Sequence, residues 1–166
     1  MPRAEPPPPH LPGAPHFAYC DGELWVEGLR VADLAREYGT PLFVYSVAAM
    51  RAAVAAYQRG LQGRDALICY AMKANSTLAI LEVFARAGCG FDIVSGGELE
   101  RALRAGAAPE RIVFSGVGKT RAEMRRALQV GIGCFNVESR AELDVLDAVA
   151  RELGARAPVS VRVNPD

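Results

Sequence analysis

The chain has 166 residues, which suits one ordinary domain but falls short of the about 250 of a complete (β/α)8 barrel. Apolar residues make up 51% and charged residues 23%, so a sizeable core is possible and wholesale disorder is excluded. The 19 basic and 19 acidic side chains cancel, which leaves no electrostatic case for nucleic acid or an anionic membrane surface.

Residues 1–16 begin MPRAEPPPPHLPGAP and predict a disordered or extended proline-rich tail. It has no apolar segment of the secretory kind, and the longest uninterrupted apolar run, Ala66–Met72, is too short to span a bilayer. A soluble protein of the reducing cytoplasm is expected. Both histidines, His10 and His16, fall in the leader. The cysteines Cys20, Cys69, Cys89 and Cys134 form no CxxC pair, so no metal site is expected. Cys69 and Cys134 lie in or beside apolar runs and read as small buried thiols. Residues 17–30 alternate loosely around Asp21-Gly22, a hairpin signal between two short strands. VADLAREYGT then reads as a short helix closed by Gly39, with Thr40-Pro41 blocking its continuation.

From Leu42 the pattern becomes regular. Strand-like apolar runs occur at Leu42–Tyr45, Ala66–Met72, Gly90–Val94, Ile112–Phe114, Cys134–Val137 and Val159–Val163, with helix-like segments between them. Ser95-Gly-Gly-Glu98, Thr120-Arg-Ala-Glu123 and Ser139-Arg-Ala-Glu142 each fit the capping box of a helix start. Glycines 88, 106, 131 and 154 sit where those helices should end. From Ala66 on, the strands start about 22–25 residues apart, which is the grammar of repeated βα units. Their continuous apolar character predicts parallel strands buried on both faces. A doubly wound sheet and part of a (β/α)8 barrel both fit. In either, chemistry sits beyond the C-terminal ends of the strands, which singles out Lys73, Asp92, Ser115, Glu138 and Arg162.

Two glycine motifs are decoys. Gly116-Val-Gly-Lys119-Thr120 mimics a P-loop but has Val113 where the first glycine belongs, so Lys119 reads as a solvated loop lysine. Gly131-Ile-Gly133 has Asn136 in place of the third glycine of a dinucleotide fingerprint. Lys73 stands apart, because only it and Lys119 are lysines among the 19 basic residues. Arginine stays protonated and forms no Schiff base, whereas an amine desolvated by the run LICYAM can. A surface lysine at a strand end is the plainer alternative. Asp92 within GFDIV is either a structural partner or a neighbour of Lys73 or of a cofactor group. Arg162 within VSVRVNP needs an anion, from a carboxylate or a cofactor oxygen. Ser115 and Glu138 are ordinary strand-tip residues with an expected structural role, and Ser95 and Ser139 are expected to act as N-caps.

The segment Cys69-Tyr70-Ala71-Met72-Lys73-Ala74-Asn75 resembles the cofactor-lysine motif of the diaminopimelate decarboxylases, members of the alanine-racemase-like, fold type III group of pyridoxal-phosphate enzymes. Gly90–Leu99, Phe114–Thr120, Phe135–Ser139 and Val161–Pro165 resemble that family in the same order, and the resemblance covers residues 17–166. It implies an α/β fold: a partial (β/α)8 barrel of about five strands over residues 46–166, with residues 17–45 contributing strands and a short helix to a β-domain. Lys73 would carry pyridoxal 5'-phosphate covalently, with Asp92 and Arg162 near the cofactor. The substrate would be the amino acid meso-diaminopimelate, the product L-lysine, and the full-length protein a homodimer.

The family continues past Asp166 with further strands and a glycine-rich phosphate-binding loop. The chain is therefore expected to be an N-terminal portion, inactive by itself, with open sheet edges. Related ornithine, arginine or carboxynorspermidine decarboxylases, and a non-catalytic cofactor-binding barrel protein, are the alternatives.

Overall fold

The computed structural model describes residue 11, residues 13–163 and residue 165. Most of the expected proline-rich tail, and Asn164 of the last motif, lie outside the described residues. The chain divides between Ala56 and Tyr57 into two compact units.

The first unit holds a three-stranded antiparallel sheet, β1 (Phe17–Cys20), β2 (Glu23–Val26) and β3 (Leu29–Arg30), in sequential order. The hairpin expected at Asp21-Gly22 forms there, with φ of 51° and 79°. Positive φ at both turn positions matches the twist of the flanking strands. Helix α1 (Val31–Tyr38) follows and ends at Gly39, whose φ is 82°. Ser46 opens helix α2 (Val47–Gly60) by accepting the Ala49 N–H at 2.9 Å. Glu27 accepts from Ser46 Oγ at 2.5 Å and from the Ala48 N–H at 2.7 Å. Those two bonds, the Ser46 one first, lower the Glu27 carboxyl pKa. Leu42–Tyr45 is not the expected strand. It pairs with neither sheet, and an apolar run becomes a strand only when a ladder takes its N–H groups.

The second unit is a parallel five-stranded sheet: β4 (Cys69–Ala71), β5 (Gly90–Ile93), β6 (Ile112–Phe114), β7 (Cys134–Val137) and β8 (Val159–Val161). Helices α3 (Leu78–Arg86), α4 (Gly96–Arg104), α5 (Arg121–Val130) and α6 (Arg140–Glu152) fill the connections. The order β4-β5-β6-β7-β8 follows the sequence without a reversal. A doubly wound sheet turns back at a switch point, whereas a barrel advances in one direction, so this is an arc of a (β/α)8-type barrel.

Pleating gives the sheet two unlike faces. Phe91, Ile93, Ile112, Phe114 and Phe135 are fully buried, and pack with Leu81, Leu99, Met124 and Leu146 of the helices in one core. The alternate positions Asp92, Val113, Cys134 and Asn136 are only half-buried. Burial on both faces was expected, and only the helix-facing side shows it fully. Every strand except β6 and β7 is shorter than its apolar run, and Arg162 lies just past β8 rather than inside it.

Candidate functional site

The site is built at the C-terminal ends of the parallel strands. β4 runs into a 3-10 helical turn, Met72–Ala74, whose middle residue is Lys73. Met72 is 1% exposed and anchors the turn in the core. Tyr70 stacks on Phe84 with centroids 4.0 Å apart, and its hydroxyl donates to the Asn75 carbonyl at 3.1 Å. Asn75 Oδ1 accepts the Thr77 N–H at 2.9 Å just before α3. The backbone around Lys73 is thus fixed on both sides. The side chain is exposed rather than desolvated, because the apolar run ends in the core at Met72 and the chain then turns outward. Among the described residues the Lys73 amine has no hydrogen bond or ion pair.

Asp92 pairs in register with Ala71 on one side and Val113 on the other. Its Oδ1 accepts the Ser115 hydroxyl at 2.5 Å, and Ser115 Oγ accepts Asn136 Nδ2 at 2.9 Å. Three side chains, from β5, from the residue just past β6 and from β7, therefore make one continuous polar row.

A second network lies beyond it. Glu138, with its side chain 9% exposed, accepts the Gly116 N–H at 2.9 Å and meets Arg162 Nη1 at 3.3 Å. Arg162 is 56% exposed in its side chain and borders a cleft shared with Glu138, Leu143 and Val161. Lys119 corrects an expectation. Far from being a solvated loop lysine, its side chain is 0% exposed and paired with Glu142 at 2.7 Å. It also donates to the carbonyls of Gly116 at 2.6 Å and Asn136 at 2.8 Å, so all three ammonium protons are used. The ammonium lies 5.8 Å from the Phe114 ring centroid. Lys119 thereby ties the β6–α5 loop to the end of β7. The scarcity of lysine that singled out Lys73 applied equally to Lys119, and the P-loop comparison masked it.

The glutamates of the helix starts close the loops. Thr120 and Glu123 form the full capping box, while Glu123 Oε1 also reaches across to accept the Gly96 N–H at 2.7 Å. The Gly96 bond first, then that from the Thr120 N–H, holds the Glu123 carboxyl below the ordinary range. Ser95 and Ser139 are N-caps as expected, but Glu98 and Glu142 accept from Val94 and Glu138, one residue ahead of each cap. The thiols of Cys69, Cys89 and Cys134 are all pushed up in pKa by burial, and Cys69 and Cys134 begin their strands, at the opposite end from Lys73. Of the three residues expected at the cofactor, Asp92 and Arg162 each join a network, but no bond among the described residues links Lys73, Asp92 and Arg162 directly. Among the described residues no group of three or more His, Cys, Asp or Glu side chains could hold a metal ion. No helix there is long and apolar enough to cross a membrane.

The family model described as the pyridoxal binding domain of pyridoxal-dependent decarboxylases matches residues 47–166. A diaminopimelate decarboxylase from Pseudomonas aeruginosa is 58% identical over 150 residues, covering 90% of this chain and 36% of its own. One from Aquifex aeolicus is 49% identical over 92% of this chain and 36% of its own. Among solved structures, AQ1208 from Aquifex aeolicus superposes with a TM-score of 0.87 at 48% identity, over 92% of this chain and 38% of that one. The diaminopimelate decarboxylase from M. jannaschii in complex with L-lysine gives 0.85 at 35% identity, over 94% of this chain and 37% of that one. The chain thus spans little more than a third of the length of the relatives it matches.

Proposed function

Because the chain belongs to the pyridoxal-dependent decarboxylases, through a pyridoxal binding domain over residues 47–166, we propose that it serves the decarboxylation of meso-diaminopimelate to L-lysine, with Lys73 holding pyridoxal phosphate. The names of its relatives support this substrate, and so does the L-lysine in the M. jannaschii complex.

One observation carries the assignment of Lys73. The chain has two lysines, and Lys119 has all three protons engaged in a buried cluster. Lys73 alone offers an amine without a partner among the described residues, at the end of the sheet where barrel chemistry sits. An exposed, unpaired amine fits an aldehyde-bearing cofactor, and arginine has no equivalent reaction. Asp92, with its Oδ2 free of hydrogen bonds among the described residues, and Arg162, with an exposed guanidinium, fit the remaining polar groups of the cofactor. When bound, pyridoxal phosphate supplies an electron sink for the charge left as carbon dioxide departs. Lys73 Nζ would anchor the group, and then hold and return a proton at the reacting carbon. Asp92 and Arg162 would orient it from β5 and the end of β8. In the same reading residues 17–45 contribute to a β-domain, residues 46–166 to the pyridoxal-binding barrel, and the full-length protein is a cytoplasmic homodimer.

Borohydride reduction of the full-length protein with pyridoxal phosphate, followed by peptide mapping, tests the assignment. The label is expected on Lys73, and Lys73→Arg is expected to lose both the label and carbon dioxide release from meso-diaminopimelate. A label elsewhere overturns the site, and turnover of ornithine or arginine in place of meso-diaminopimelate overturns the substrate.

A further inference from the structure

The row that joins β5, β6 and β7 has a direction. Ser115 Oγ lies 2.5 Å from Asp92 Oδ1 and 2.9 Å from Asn136 Nδ2. A hydroxyl has one proton, and a carboxylate oxygen accepts it. Only lone pairs then remain on Ser115 Oγ, and only the nitrogen end of the Asn136 amide can meet them. Donation therefore runs from Asn136 through Ser115 to Asp92. The backbone that carries the far end is fixed as well, since the main-chain carbonyl of Asn136 accepts from the buried Lys119 ammonium at 2.8 Å. The near end is open, because Asp92 Oδ2 takes no hydrogen bond among the described residues. Asp92 is paired in register with Ala71, which directly precedes the turn that carries Lys73.

We propose that Ser115 and Asn136 are positioning residues, which lock the Asp92 carboxylate through Oδ1 and leave Oδ2 as the oxygen that meets the cofactor. This rests on the assignment of the cofactor to Lys73. A carboxylate free to rotate about its side-chain bonds presents either oxygen over a range of angles. One bound through Oδ1 to a serine that is itself held by Asn136 presents Oδ2 in a single direction, and binding then does not have to order it. Neither residue touches the cofactor in this scheme. Both act through Asp92.

The test uses the full-length protein and two readouts, the affinity of the apo form for pyridoxal phosphate and the steady-state constants of the loaded form. Ser115→Ala is expected to weaken cofactor binding roughly tenfold, the scale of one lost charge-assisted hydrogen bond. It is expected to lower kcat by up to about 100-fold with a much smaller change in KM. Ser115→Thr, which keeps the hydroxyl, restores both. In an Asp92→Ala background neither Ser115→Ala nor Asn136→Leu should weaken cofactor binding further, because the carboxylate they hold is gone. Should Ser115→Ala not fold, Asn136→Leu takes its place in every comparison. An undiminished loss in the Asp92→Ala background would reveal mere support of the strands and overturn the proposal. So would unchanged affinity and kcat in Ser115→Ala while borohydride still labels Lys73. Absence of the label from the unmodified protein is a separate result, and it removes the cofactor assignment and this proposal together.

Discussion

Lys119 shows how much one side chain can hold when every proton it carries is engaged. Its ammonium and the Glu142 carboxylate have side chains 0% and 9% exposed, and the Gly116 and Asn136 carbonyls complete the cluster. Removing one member of a buried pair strands the other charge. Lys119→Met is therefore expected to destabilise the full-length protein by about 3–5 kcal/mol in urea unfolding. Lys119→Met with Glu142→Gln should recover part of that loss, and a loss in Lys119→Met below about 1 kcal/mol would return Lys119 to the class of exposed pairs. Gly133 makes a different kind of contact. A Cβ there would lie 2.2 Å from the Glu110 carbonyl oxygen, a backbone atom that cannot swing aside. Gly133→Ala should cost about 1–3 kcal/mol in the same measurement. Gly131, its neighbour in the rejected dinucleotide motif, caps α5 in the left-handed region at φ 76°. The sequence already placed Gly131 at a helix end, whereas the duty of Gly133 emerges only from the close approach of the Glu110 backbone.

At the scale of elements, what is local in the chain was legible and what reaches from one βα repeat to the next was not. Hydroxyl caps at Ser95, Thr120 and Ser139 formed as their spacing predicts, because a cap is decided within a few residues. The reach of Glu123 from α5 to the Gly96 N–H of α4 has a separation of 27 residues, and no periodicity announces it. Its effect is testable by pH. The Gly96 and Thr120 bonds depress the Glu123 pKa below its ordinary value of 4.5, so the folded state binds that proton less readily than the unfolded chain. The stabilisation is fully present above that value and is lost as pH falls through the depressed folded value. Glu123→Gln is therefore expected to be less stable than the unmodified protein at neutral pH, with the gap closing only in the acid range below 4.5. A gap independent of pH across that range would mean that the carboxylate charge does not matter. The exposed pairs Arg126 with Glu100, and Arg121 and Arg125 with Glu152, join neighbouring helices and should weaken in salt without a comparable effect on folding.

For the molecule as a whole, the repeat of strand, capped helix and glycine was enough to predict parallel βα units, but not their closure. Sequential strand order decides for the barrel, and that order is a fact of pairing rather than of composition. The same order leaves β4 and β8 as the edges of the described parallel sheet. All of β8 is exposed, with Val159 at 45% and Val161 at 67%, so unpaired N–H and C=O groups run beside exposed apolar side chains. An edge of this kind templates pairing with another strand. Formal net charge is zero at pH 7, so no long-range repulsion keeps two copies of the chain apart. The 166-residue chain prepared by itself is thus expected to bind an apolar dye, to self-associate with rising concentration in sedimentation velocity, and to release no carbon dioxide from meso-diaminopimelate. Val161→Lys, which places a charge on the edge, should reduce the association while leaving the Lys73 turn untouched. A monodisperse, dye-silent chain would show that β8 is not an adhesive edge, whereas association undiminished by Val161→Lys would point instead to the exposed side chains Leu42, Phe43 and Tyr45 of the first unit.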